Sequence, residues 1–407
     1  MRRVFLAVLA LAAVESLALS LRSGVGSLGA LLPTLRDDLH LTATAVGVLA
    51  TLPTLFFALV GLGAGRVISR YGPHKVTILL LATIATGLVA RALTGSSLVF
   101  VLATGLAMVG VAVGNVVLPA LAKLHFPRRI VVVSALYGVA INLGATIAAV
   151  TAVPIGDVFG GWRGGLGVWA ALPLLSLALW IPCALIGRSS ATARAGGRRL
   201  SIADAARTRL GWVMALCFGA QASQAYVQFG WWSALIVDAG GDTAHAGALL
   251  GVISGLSIPI SLTLPLLIRG TRGSLLLPIA FASLTSAGWI GVMSAPLMLD
   301  GWVWAALLGA GSGAFSWTLV MIGVRSRTPE GAGQLSAFVQ GGGYLMASAA
   351  TFVTGLLYAA TDSWAASLIP VLVLAALIGV AGSLLGRLPP FEDGLPATAS
   401  TTPSEGT

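Results

Sequence analysis

Apolar residues run along this chain in long stretches, each closed by a short polar or Gly/Pro-rich turn. The stretches lie near 4–33, 44–65, 76–95, 98–122, 130–153 and 164–186, and again near 210–237, 244–268, 274–297, 302–324, 333–360 and 364–386. About 20 apolar residues of helix cross a bilayer. Hydrocarbon cannot satisfy an open backbone, so such stretches must be helical. The pattern predicts an all-α integral membrane protein of twelve transmembrane helices. The longest polar break, RSSATARAGGRRLSIADAARTR from Arg188 to Arg209, divides them six and six. The expected organisation is an N-terminal six-helix bundle over 1–187, a cytoplasmic linker over 188–208, a C-terminal six-helix bundle over 209–388, and a disordered cytoplasmic tail over 389–407 that is rich in Pro, Ser and Thr.

Composition agrees. Of 407 residues 57% are hydrophobic and 9% charged, with a mean hydropathy of +0.96. Soluble domains carry roughly 25% charged residues, so only a bilayer suits this chain. The net charge of +10 does not mark a nucleic-acid partner, because the basic residues are scattered in short clusters between apolar runs. They are topology signals. One side collects Arg2 and Arg3, then Arg66, Arg70 and Lys75, then Lys123, Arg128 and Arg129, the linker, Arg269 and Arg272, Arg325 and Arg327, and Arg387. The other holds Asp37, Asp38, Asp157, Asp238, Asp242, Asp300 and Asp362. This alternation predicts a multi-pass protein of the cell (inner or plasma) membrane with both termini cytoplasmic. The start resembles a signal peptide, but its apolar character continues to Leu32, so it reads as an uncleaved first helix. Cys183 and Cys217 fall inside apolar runs and suggest neither a metal site nor a disulfide framework.

The two halves repeat. Lys123, Pro127, Ser134, Ala135 and Trp162 find counterparts in Arg325, Pro329, Ser336, Ala337 and Trp364, each pair 202 positions apart (364 − 162). Arg70 and Arg272 keep that spacing. Two six-span repeats with a site at midplane between them form a transporter layout.

The loop after the second span reads Gly65-Arg-Val-Ile-Ser69-Arg70-Tyr71-Gly72, followed by His74 and Lys75. It resembles the signature loop of the major facilitator superfamily, Gly-x-x-x-Asp-Arg-x-Gly, with Ser69 where the acid is usual. Within that superfamily the chain is similar to the cyanate permease and 2-nitroimidazole transporter family, through 19–39, 114–127, the GGWR at 160–163, Gln221 to Trp232, and 324–344. That family usually shows Asn-Leu-Arg-Pro in the first helix; here Ser20-Leu21-Arg22-Ser23 keeps the Leu-Arg pair, with serines where the flanking Asn and Pro are usual. The resemblance implies the major facilitator fold, with two pseudo-symmetric bundles and transport of small anions or small polar organics. It also implies that Gly65, Arg70, Gly72 and Lys75 form a conformational switch loop.

Several residues stand out inside the spans. Arg22 lies near the middle of the first span, where a charge costs at least ~2.5–3.5 kcal/mol; an anion-binding cation facing a central cavity outweighs a structural arginine. Glu15, the one acid deep in a span, is a candidate proton-coupling group or equally a structural partner. Gln224 stands 202 positions after Arg22, and Gln221, Gln224 and Gln228 share a helix face near Tyr226, Trp231 and Trp232. That face is expected to line a wet cavity, with Gln224, Gln221, Gln228, Tyr226 and Trp232 as substrate-binding candidates. Asn115, Asn142, Gln340 and Tyr344 join them as weaker candidates that equally suit interhelical hydrogen bonding, as does Tyr137. Two patterns are discarded. Gly24-x-Gly26-x-x-Gly29 matches a dinucleotide motif but lies within a span with no preceding strand, and the four histidines have no metal-ligand spacing.

The leading reading is a secondary transporter of small anions or polar solutes, of cyanate, nitrite, nitrate or nitro-compound type, working by alternating access. The alternatives are a drug or toxic-compound exporter of the same fold and, more distantly, a membrane-embedded enzyme, which would need a reactive cluster at depth. A sensor would need a signalling domain that the short linker and tail do not supply. No enzyme activity, cofactor, metal or nucleic-acid partner is expected. The expected partners are a small-molecule substrate, the lipid bilayer and protons as a candidate coupling ion, in a monomer.

Overall fold

The computed structural model describes residues 2–41, 43–191, 200–268 and 270–395. Residues 192–199 of the basic linker, Arg269 and the tail beyond 395 lie outside them. The first half comprises α1 (Arg2–Asp38), α2 (Ala43–Tyr71), α3 (Pro73–Leu93), α4 (Ser97–His125) and α5 (Ile130–Val158). Its sixth span is broken: α6 (Trp162–Gly167) passes through a 3-10 turn into α7 (Ala171–Ala191). A short linker helix, α8 (Ile202–Ala206), starts on a capping box of Ser201 and Asp204. The second half comprises α9 (Arg209–Asp238), α10 (Thr243–Leu267), α11 (Gly270–Ser294), the broken pair α12 (Trp302–Gly311) and α13 (Gly313–Val324), then α14 (Pro329–Thr361) and α15 (Trp364–Leu385). Ten of these spans meet the length and apolarity of a membrane crossing among the described residues, and α2 and α9, 29 and 30 residues long, complete the twelve.

Local chemistry sets the boundaries. Thr208, Asp242, Thr328 and Ser363 each accept a backbone N–H from the first turn of the helix that follows. Gly72 turns the chain at φ 82° directly before Pro73, which opens α3. Prolines inside α2, α4, α5 and α10 do not end those helices, because in lipid the backbone has no better partner than its own turns and neighbours.

The halves pack alike. α1 lies along α5 as α9 lies along α14, α3 contacts α4 as α11 contacts α12, and α1 and α3 meet α7 as α9 and α11 meet α15. A side-chain clasp repeats with the packing. Trp162 Nε1 donates to Asp38 Oδ2 at 2.7 Å, tying the end of α1 to α6. Trp364 Nε1 donates to Asp238 Oδ2 at 2.9 Å, tying the end of α9 to α15. Thus the tryptophan pair found by the 202-residue spacing has a common structural task.

The bundles meet on the side of the basic loops. Gln334 Nε2 on α14 donates to the Gly65 carbonyl on α2 at 2.8 Å, and Gln340 Nε2 donates to the Asn115 carbonyl on α4 at 3.0 Å. Lys123 Nζ reaches the Gly323 carbonyl at 3.3 Å. Gly61 faces Gly341 so closely that a Cβ there would stand 3.7 Å from the Gly341 Cα. α1 and α9 make no comparable packing among the described residues, and a Cβ built on Gly29 of α1 would meet nothing within 4 Å. The cleft between the bundles is closed toward the basic loops and opens toward the acidic ones.

Residues 389–395 depart from the expected disordered tail. Phe391 is fully buried, and its N–H donates to the Arg325 carbonyl at 2.7 Å. Glu392 accepts from the backbone N–H groups of Arg327 and Thr328 and from the Thr328 hydroxyl, at 2.8–2.9 Å. A carboxylate at the start of a helix meets its free N–H groups and positive dipole end, so this strap is held at the head of α14.

Candidate functional site

α1 places Arg22. Against α5 the helix is close-packed: a Cβ on Gly26 would lie 2.3 Å from the Ala145 carbonyl oxygen, and one on Gly144 of α5 2.2 Å from that of Leu19. Gly24 and Gly26 of the discarded glycine pattern are thus packing positions, against Leu88 and Ala145. Ser20, Ser23 and Ser27 return their hydroxyls to carbonyls of their own helix. Arg22 is left to face the other bundle.

The half-buried Arg22 guanidinium lies over the Phe57 ring of α2, 5.6 Å from its centroid. The phenols of Tyr226 on α9 and Tyr344 on α14 interact with it electrostatically. No hydrogen bond there is geometrically complete, however. Arg22 Nε, Tyr226 Oη and Tyr344 Oη are all buried without a partner. Aromatic rings close the surround: Phe57 to Tyr344 at 4.9 Å, Phe218 to Tyr344 at 5.2 Å, Tyr226 to Tyr344 at 6.0 Å and Phe218 to Phe315 at 5.9 Å. Both bundles therefore contribute to one cluster, a cation with two phenols among flat apolar rings. A guanidinium so placed offers charge-assisted donors beside planar apolar contacts.

Of the candidate residues, Arg22, Tyr226 and Tyr344 come together, but the glutamines do not join them. Gln224 is consumed inside the second bundle: Trp289 Nε1 donates to its Oε1 at 2.5 Å, and its Nε2 donates to the Val371 carbonyl at 3.1 Å. Gln221 and Gln228 are buried with it, and Trp232 packs 6.3 Å from Trp289 in the bundle's own apolar cluster. At about 100° per residue, Tyr226 lies about 140–200° around α9 from all three amides. One face of α9 looks into the cleft, and the glutamine face looks away. Gln340 and Asn115 sit in the seam that closes the basic side, and Asn142 Nδ2 donates to the Gly138 carbonyl of its own helix. Phe57 and Phe218 were missed from sequence, where aromatic residues in a span look like any other apolar filling.

Glu15 is half-buried on α1, with Oε1 lacking a partner and Tyr137 of α5 within electrostatic reach. Gly65 carries the seam bond to Gln334, while the side chains of Arg70 and Lys75 are exposed, Arg70 lying over Tyr71. Arg22 and Glu15 are the charges that stand at depth in the sequence pattern. The fold adds Arg91 on α3, which has no exposed surface. It was overlooked because it stands near a span's end, where a basic residue reads as a boundary. The fold also gathers two histidines that sequence placed in separate loops, with the His74 and His125 rings 5.2 Å apart.

Comparison with known proteins agrees with the fold. The chain is 30% identical over 375 residues to an uncharacterized transporter, YycB, of Bacillus subtilis (strain 168), covering 91% of this chain and 92% of that one. It is 30% identical over 381 residues to the 2-nitroimidazole transporter of Escherichia coli (strain K12), covering 93% and 95%. The cyanate transport protein CynX of the same organism is 26% identical over 342 residues, covering 83% and 87%. Among solved structures, the transporter FucP in its outward conformation superposes with a TM-score of 0.71 at 16% identity, covering 92% of this chain and 98% of that one. The family profile of the Major Facilitator Superfamily matches residues 8–351, and the chain belongs to that family of transporters.

Proposed function

We propose that this transporter carries small anions, or flat solutes with a strongly polarised acceptor such as a nitro group, between its two bundles by alternating access. The observation that carries the reading is Arg22, a permanent cation in the cleft whose neighbours are rings and phenols. No carboxylate acts on it among the described residues. An arginine stays charged at any accessible pH, so a bound acceptor is what its free donors lack. The aromatic walls favour planar shapes. The relatives' names, a 2-nitroimidazole transporter and a cyanate transport protein, point the same way.

In this reading both termini are cytoplasmic, so the cleft described above faces outward, closed inside by Gln334 and Gln340. Glu15 is the coupling group for protons, its free carboxylate oxygen lying near Tyr137. Gly65, Arg70, Gly72 and Lys75 control the exchange between states. The test is counterflow in proteoliposomes with radiolabelled cyanate, nitrite and 2-nitroimidazole. Saturable exchange of at least one, lost in Arg22→Gln, is expected. Uptake confined to bulky cationic drugs would replace the reading with that of a drug exporter.

A further inference from the structure

Arg91 is a buried charge that the site description leaves without a task. Its Nη1 donates to the Gly24 carbonyl at 2.9 Å and its Nη2 to Ser27 Oγ at 3.3 Å, while Nε has no partner. Among the described residues no carboxylate pairs with it. Two neutral acceptors are weak compensation for a desolvated charge, and a leucine there would join α3 to α1 without that penalty. Packing alone does not account for an arginine.

Its location does. Gly24 and Ser27 lie about 200° and about 140° around α1 from Arg22. Arg91 therefore grips the rear of the helix that presents Arg22 to the cleft. A helix with its side chains is about 10–12 Å across, which sets the two guanidinium groups roughly 10 Å apart. With an effective dielectric of about 20, a unit charge at that distance still changes the occupancy of a site about tenfold.

We propose that Arg91 is a second cation of the substrate site, a positioning residue acting through α1: it holds the helix at Gly24 and Ser27 behind Arg22 and makes the cleft select one negative charge over a neutral solute of the same shape. This rests on the anion reading of the cleft.

The potential is measurable without knowing the substrate. Gly29 shares the Arg22 face, two turns along α1, and has open space where a Cβ would stand; the native Cys183 and Cys217 are buried. In a Gly29→Cys background, the rates of modification by an anionic and by a cationic methanethiosulfonate report the charge seen in the cleft. The anion should be favoured over its rate ratio with a free thiol. Adding Arg91→Gln should cut that preference about tenfold, and Arg91→Lys should restore most of it. Adding Arg22→Gln should leave a residual preference, due to Arg91. An unchanged ratio in Arg91→Gln overturns the proposal. So does collapse to the free-thiol ratio in Arg22→Gln alone, an arm that decides the matter even if Arg91→Gln does not reach the membrane. The solute panel tests what the cleft carries, whereas the thiol pair tests which charges it contains, so the two readings fail separately.

Discussion

Replacing Arg22 separates charge from geometry. The guanidinium offers a planar fork of donors, and Nε has no protein partner. An oxyanion seated on the fork makes two charge-assisted hydrogen bonds, each worth roughly 1.5–3 kcal/mol. Arg22→Lys keeps the charge and loses the second bond, so affinity should fall about 10- to 100-fold. Arg22→Gln loses the charge as well and should fall at least about 150-fold, equivalent to roughly 3 kcal/mol. Stability should change little, because the neighbouring Tyr226 and Tyr344 hydroxyls already lack completed bonds. Gln224→Ala supplies the contrast. It orphans the Trp289 N–H and releases the Val371 carbonyl, which should cost about 1–3 kcal/mol of stability with affinity nearly unchanged. The assay is equilibrium binding on purified protein, with counterflow at equal membrane abundance, using cyanate, nitrite and 2-nitroimidazole. Wild-type affinity in Arg22→Gln would give this residue a structural role and remove the ground for an anionic substrate.

Three further changes test other parts of the molecule. Gly72 holds φ 82°, a conformation that costs a branched residue about 1–2 kcal/mol or more; Gly72→Val should slow flux while equilibrium binding stays intact, and lost affinity with normal flux would contradict the loop's switching role. Glu15→Gln should abolish acceleration by a pH gradient yet preserve exchange of substrate for substrate, so a mutant that still follows the gradient moves coupling elsewhere. At the acidic loops, the Trp162 N–H holds the Asp38 carboxyl below its usual range, and the Tyr358 hydroxyl followed by the Trp364 N–H does the same for Asp238. Depressed carboxyls contribute stability above the unfolded value of about 3.9 that is lost as pH falls through the lower folded value. Thermal unfolding from about pH 6 to about pH 2 should therefore show a shallower acid limb in Asp38→Asn/Asp238→Asn, and an unaltered limb would show that the clasps contribute nothing to it.

The sequence carried the architecture because the bilayer imposes it locally. Twelve apolar runs, the break at Arg188–Arg209 and the spacing from Trp162 to Trp364 are all properties of short segments. Hydrocarbon leaves each such run no fold but a helix. Arg22 was legible for the same reason: a charge at midspan conflicts with its solvent wherever the helix later packs.

What the sequence could not express is rotation and partnership. Whether Gln224 met the cleft or Trp289 depended on how α9 turned against α11 and α15, and no pattern within α9 records that angle. Phe57, Phe218 and Tyr344 became one wall around Arg22 only when α2, α9 and α14 converged. Arg91 acquired its place from Gly24 and Ser27, 67 and 64 residues away in sequence. The segment at Phe391 and Glu392 took order from the unfilled N–H groups at the head of α14. Membrane solvation selects helices one segment at a time, whereas satisfying the polar groups those helices bury requires neighbours that only the assembled bundles bring within hydrogen-bond reach.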